Sequence, residues 1–97
     1  MKQYWWYIYI LSNKKDWVLY IWVTSDLIKR IYEHKNWIIE WFTKKYFVDN
    51  LIYYEQYLDI ITAIEREKQL KKWTRIKKIK LFESSNPSWK DLYEDLI

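Results

Sequence analysis

Tyr20-Ile21-Trp22-Val23-Thr24-Ser25-Asp26-Leu27-Ile28-Lys29-Arg30 decides the fold of this chain. The run opens β-branched and aromatic, as an extended strand does. Thr24, Ser25 and Asp26 then offer side-chain oxygens to the free amides at the start of a helix. Leu27, Ile28, Ile31 and Tyr32 follow at helical spacing, with Lys29, Arg30, Glu33 and His34 as the polar positions. The stretch predicts a strand that ends near 23 and passes directly into a helix over about 27–34.

Upstream, residues 4–11 are aromatic and β-branched throughout, which suits a central strand buried on both faces. The polar turn Ser12-Asn13-Lys14-Lys15-Asp16 joins this strand to the return strand 18–23, so the two read as a β-hairpin. Downstream, residues 38–46 are irregular, with Thr43-Lys44-Lys45 reading as a loop, and Leu51-Ile52-Tyr53-Tyr54-Glu55 reads as a third strand. Residues 59–73 carry the strongest helical pattern. A Thr62-x-x-Glu65 capping box is expected at its start, and Ile60, Ile61, Ile64, Leu70 and Trp73 on its inner face. Thr74 should cap a further helix over about 75–83, stopped by Ser84-Ser85-Asn86-Pro87, and a short terminal helix over 88–97 should be pinned by Trp89 and Leu92. The expected fold class is α/β, a small three-stranded antiparallel sheet flanked by helices.

With 97 residues the chain is expected to form a single domain, 1–97, around one modest core. Charged residues interrupt every apolar run before it reaches membrane-spanning length, and the N-terminus lacks the pattern of a secretory signal, so the expected location is cytoplasmic. Cysteine is absent, which excludes disulfides, thiolate metal sites and cysteine nucleophiles. A net charge of +4 and a pI near 9.2 favour a polyanionic partner, while also fitting an ordinary soluble domain. Glycine numbers 0 and tryptophan 8, where average usage would give a chain of this length roughly seven glycines. Such a chain must close its turns with Asn or Asp, or accept backbone strain.

Tyrosine, arginine, histidine and glutamate occur at spacings that could converge on a phosphodiester, whose hydrolysis needs an activated water and a cation at the developing charge. Tyr9 and Tyr20 lie on adjacent strands. Arg30 and His34 are four residues apart on one helix face, and Glu67 sits mid-helix. Each has an ordinary explanation as well: strand packing for the tyrosines, a solvated face for Arg30 and His34, and an i,i+4 partner in Lys71 for Glu67. On composition and spacing alone the ordinary readings prevail.

The order of motifs resembles the small, stand-alone branch of the GIY-YIG endonuclease superfamily, related to the N-terminal domain of the excision-repair incision nuclease. Tyr7-Ile8-Tyr9 stands where the first motif falls and Tyr20-Ile21-Trp22 where the second does. Arg30 and His34 follow in the family's pattern. Ala63-Ile64-x-Arg66-Glu67-Lys68-Gln69-Leu70-Lys71-x-Trp73 resembles the glutamate-bearing helix, and Asn86-Pro87-x-Trp89-x-Asp91-Leu92 the C-terminal signature. The resemblance implies a metal-dependent DNA endonuclease, with DNA repair or recombination as its setting. Glu67 would bind Mg2+ or Mn2+. Tyr9 would serve or orient the general base beside Tyr20, Arg30 would hold the phosphate, and His34 would hydrogen-bond or shuttle a proton. Asn86 would support the site. Lys71, Lys72, Arg75, Lys77 and Lys78 form a basic run that could follow a DNA backbone, or equally a solvated face.

Trp17, Trp22, Trp37 and Trp41 stand where the family has glycine. A source that reads the codon UGA as glycine, translated with tryptophan in its place, would produce this pattern; genuine substitution is the alternative. Intact mass of the source protein separates the two. Trp17 and Trp37 would strain turns suited to positive φ, and Trp22 would fill the space where phosphate enters. The chain as written is therefore expected to be destabilised or inactive, and its rival function is a non-catalytic nucleic-acid-binding module with the site blocked by Trp22.

Overall fold

The computed structural model describes residues 5–13, 18–36 and 47–97. Three strands, β1 (Trp6–Ser12), β2 (Leu19–Thr24) and β3 (Asn50–Tyr57), form an antiparallel sheet in the order β2-β1-β3. Helix α1 (Leu27–Lys35) follows β2, and helices α2 (Ile60–Lys72) and α3 (Arg75–Glu83) follow β3. The α/β architecture, with its small three-stranded antiparallel sheet, is the one expected. Among the described residues no helix is long and apolar enough to cross a membrane.

Alternation along β1 divides the interior into two layers. Ile8 and Ile10 point to one side and pack with Ile21, Ile52, Ala63, Leu70 and Phe82 beneath α2 and α3. Tyr9 and Leu11 point to the other and pack with Leu27, Ile31, Val48 and Leu51 beneath α1. Residues 8–11 have no solvent exposure, as a central strand covered on both faces requires. Register places Tyr9 directly opposite Trp22, and Leu11 opposite Tyr20.

Several details differ from the sequence expectation. The inner stripe of α1 is Leu27, Ile31 and His34, at i, i+4 and i+7. Ile28 and Tyr32, turned about 100° from that stripe by the helical repeat, are exposed. His34, expected on the polar face, is fully buried. Helix α2 is capped by Asp59, whose carboxylate accepts from the Thr62 backbone amide and hydroxyl, each at 2.8 Å. Thr62 therefore lies at the third helical position rather than heading a capping box. The buried stripe of α2 is Ala63, Glu67 and Leu70, again at i, i+4 and i+7, while Ile60 and Ile61 are exposed.

Thr74 caps α3 as expected, its hydroxyl accepting from Lys77. The terminal helix is only a 3-10 turn, Leu92–Asp95. Two features prevent a helix from starting at 88. Trp89 adopts φ 56, outside the helical region, and the Asn86 side chain takes both the Lys90 amide and its carbonyl. Phe47, with φ 55, is the other described residue at positive φ. Both positions take the left-handed conformation that glycine adopts most cheaply, and the Asn86 side chain closes the turn around Trp89. Trp22 lies in a strand, so its backbone does not require glycine. Trp17, Trp37 and Trp41 lie outside the described residues, as do the turn residues 14–17 and the expected loop at 43–45.

Candidate active site

Strand β1 carries Tyr9 to the centre of the sheet, and α1 lays His34 over it. The Tyr9 hydroxyl and His34 Nε2 are 3.1 Å apart, both side chains being fully buried. Tyr20 meets the same imidazole edge to face, with centroids 5.5 Å apart. Burial, aided by the Arg30 guanidinium one turn away, lowers the His34 pKa to about 4. The ring is therefore neutral near pH 7, with one nitrogen donating and the other accepting. So weak a base cannot hold the proton of a phenol whose ordinary pKa is about 10; it can fix the direction of the hydroxyl. Arg30 itself is half-exposed, 4.0 Å from Glu33, and lines an open polar depression with Thr24, Ser25, Asp26, Lys29 and Glu33. Tyr9, Tyr20, Arg30 and His34 thus converge on one side of the sheet.

Glu67 belongs to the other layer. It lies in the apolar stripe of α2 between Ala63 and Leu70, and its carboxylate meets Lys71 Nζ at 2.8 Å. The lysine reaches the β2 edge, where its ammonium lies 3.7 Å from the centroid of the Trp22 ring. Trp22 in turn stacks on Tyr20, with centroids 6.2 Å apart and planes 24° apart. A continuous path therefore runs Glu67–Lys71–Trp22–Tyr20–His34–Tyr9, with the Trp22–Tyr20 stack as its middle link.

Among the described residues there is no group of three or more His, Cys, Asp or Glu side chains able to hold a metal. A single carboxylate does not make a cage for Ca2+ or Zn2+. It does fit Mg2+, which keeps several waters and takes one or two carboxylates together with substrate phosphate. Glu67 has the right chemistry for that limited role, provided Lys71 yields the oxygen it now occupies.

The remaining expected residues are dispersed. Asn86 is buried and its amide is spent on backbone: Nδ2 donates to the carbonyls of Ile52 at 3.0 Å and Lys90 at 2.8 Å, and Oδ1 accepts from the Lys90 amide at 2.9 Å. Any support it lends the site acts through the fold of the C-terminal segment. Within the basic run, Lys71 and Lys78 line a cleft of ≈ 290 Å³ with Leu19, Tyr20, Ile21 and Trp22. Lys77 lies instead 4.2 Å from the centroid of the Trp73 ring, while Lys72 and Arg75 are exposed.

One polar network escaped the sequence reading. Glu55 accepts from the hydroxyls of Tyr53 and Tyr57, each at 2.6 Å, and from Nε and an Nη of Arg66 at 2.9 and 3.0 Å. The Arg66 guanidinium holds the Glu55 carboxyl below its ordinary range, though burial alone would raise it. Burial, with the hydrogen bond to the Glu55 carboxylate, pushes the Tyr57 phenol up to about 12. The signal was the period-2 spacing of Tyr53, Glu55 and Tyr57 on β3, which puts all three on one face.

The GIY-YIG catalytic domain family model matches residues 5–80. Among solved structures, the chain is similar to the UPF0213 protein BH0048 from Bacillus halodurans, known from solution NMR. The TM-score is 0.58 at 24% identity, covering 90% of this chain and 92% of that one. At that identity the likeness speaks for the fold, which both chains share. No curated protein matches in sequence. The match of the family model across most of the chain, on a sheet that brings the two tyrosine motifs side by side, shows that this protein belongs to the GIY-YIG catalytic domain family of nucleases.

Proposed function

We propose that this chain is a metal-dependent endonuclease of DNA that cleaves a phosphodiester by direct attack of water. The observation that carries this reading is the convergence of Tyr9, Tyr20, Arg30 and His34 on one side of the sheet. In this reading His34, held neutral, accepts a hydrogen bond from the Tyr9 hydroxyl and so turns a lone pair of the phenol oxygen toward the attacking water, which it orients by hydrogen bonding while the proton of that water passes to solvent. Tyr20 stands edge to face with the imidazole and fixes its plane. Arg30 offers its planar fork to the scissile phosphate, a geometry a lysine could not supply. Glu67 would hold a Mg2+ or Mn2+ ion, which when bound supplies Lewis-acid stabilisation of the charge on the leaving oxygen. The family's kinship with an excision-repair nuclease suggests DNA repair or recombination as the setting.

Trp22 favours a second reading, a nucleic-acid-binding module without catalysis. It faces Tyr9 across the strand pair, on the same side of the sheet, and stacks on Tyr20, while Tyr9 is fully buried. Nicking of supercoiled plasmid, with and without Mg2+, tests both. The chain as written is compared with a form carrying glycine at 17, 22, 37 and 41, each with Glu67→Ala as control. Metal-dependent nicking lost in Glu67→Ala is the expected result for the glycine form. Nicking by neither form, also on branched and single-stranded DNA, would overturn the nuclease reading; DNA binding retained in Glu67→Ala would then favour the module.

A further inference from the structure

We propose that Lys71 is a built-in counter-cation of Glu67, which gives way when a divalent cation takes the carboxylate and then offers its ammonium to a nucleic-acid phosphate. The inference rests on the reading of Glu67 as a metal ligand and deepens it. A carboxylate in the apolar stripe of α2 is costly to bury unless it is paired. Glu67 is 8% exposed, and Lys71, one helical turn on, supplies the pairing charge at 2.8 Å. The two partners are unequal. The Glu67 side chain is 10% exposed and the Lys71 side chain 38%, so the lysine has a way out and the glutamate does not.

The way out leads to a defined place. Lys71 and Lys78 line one cleft at the β2 edge, against Trp22. Two ammonium groups on one open cleft attract a phosphate. Contact with the Trp22 ring gives the ammonium a second resting place that does not depend on Glu67. The neighbouring pair, between Arg66 of α2 and Glu55 of β3, has the opposite character. Arg66 grips Glu55 through two nitrogens while two tyrosines fill the remaining lone pairs, so that carboxylate has nothing left to exchange. A lysine is a hydrated point charge on a flexible stem, and a single such contact can be surrendered.

Two measurements on the full chain test the exchange. The first is Mn2+ affinity without nucleic acid, followed by water-proton relaxation. Neutralising position 71, by Lys71→Met and independently by Lys71→Gln, should tighten Mn2+ binding by about threefold to tenfold, the worth of a partly exposed ion pair plus the removed repulsion. Lys71→Arg should bind as the parent does, and Glu67→Gln should lose the site. The second is the salt dependence of binding to a DNA duplex. In Mg2+, Lys71→Met should lower the slope of log K against log salt by about 0.9, one phosphate contact; in EDTA the slope should not change.

Equal Mn2+ affinity in the parent and both neutral variants would overturn the proposal, with the metal reading of Glu67 intact. A slope reduced equally in Mg2+ and in EDTA would overturn it as well, because Lys71 would then reach phosphate without being released. Absence of any Glu67-dependent Mn2+ binding would remove the metal reading, and this inference with it.

Discussion

A histidine with no solvent exposure must fold uncharged, and His34 is held so by burial and by Arg30. Its pKa falls from 6.5 to about 4 on folding. Between those values the unfolded chain binds a proton that the folded chain does not, so stability rises with pH there and is lost as pH falls. The full window is worth about 3 kcal/mol at 1.36 kcal/mol per pH unit. Urea denaturation at pH 7 and at pH 4.5 should show most of that loss, and His34→Gln should remove this part of the pH dependence. A parent whose stability is flat over this range would contradict a neutral buried His34. Glu55, with its pKa lowered, adds a separate loss below about pH 4.5. Glu55→Gln leaves Arg66 half-buried without its charge partner and should lower stability by about 1–3 kcal/mol at pH 7, measured by the same titration. At this scale the sequence was least legible. His34 is polar by type and its sequence context places it outward, because nothing in its own helix announces the phenol waiting on β1. Tyr9 and His34 become a pair only once the strand register and the seat of α1 are known.

Helices in this chain begin where their caps say and bury a narrower stripe than their apolar residues suggest. In α1 and α2 alike, the buried positions fall at i, i+4 and i+7, a line about one residue wide along each helix. Apolar residues beside that line, Ile28, Ile60 and Ile61, stay exposed because the sheet spans only three strands and cannot cover a broad face. Strand order, the β2-to-α1 turn and the Thr74 cap were all readable, since each depends on local chemistry. The cap of α2 lies three residues before the one its Thr62-x-x-Glu65 pattern predicts, and the two caps predict different losses. With Asp59 as the cap, Asp59→Ala should cost about 1 kcal/mol and Glu65→Ala only a few tenths. Equal losses in thermal melts would restore the capping box. The candidate site was legible only through its family resemblance. Arg30 and Glu67 each have an ordinary local partner, Glu33 and Lys71, and no periodicity distinguishes a residue with a task from one that is merely paired.

The C-terminal segment ties the end of α1 to β3. Asp91 accepts from the Leu51 amide on β3 at 3.2 Å and from the Tyr93 amide at 3.1 Å, and its other oxygen pairs with Lys35 at the end of α1. Lys35 also donates to the Asp49 carbonyl at 3.1 Å. Residues 35, 51 and 91, far apart in sequence, thus meet at one carboxylate. The family match ends at residue 80, yet this clasp stands one residue from His34. Asp91→Ala should therefore do more than remove a partly exposed ion pair, which alone is worth at most about 1 kcal/mol. It also strips an acceptor from a β3 amide and frees the last turn of α1, so the expected loss is about 1–3 kcal/mol. Amide hydrogen exchange should quicken in the last turn of α1 and at Leu51, while the middle of α2, which makes no contact with Asp91 through these bonds, keeps its protection. If α1 loosens in this way, the His34 pKa measured by NMR should move up from about 4 toward 6.5, because water would reach the imidazole. A destabilised Asp91→Ala chain whose exchange rises uniformly, with His34 unmoved, would mean that the segment stabilises the fold as a whole and has no particular hold on the helix that carries Arg30 and His34.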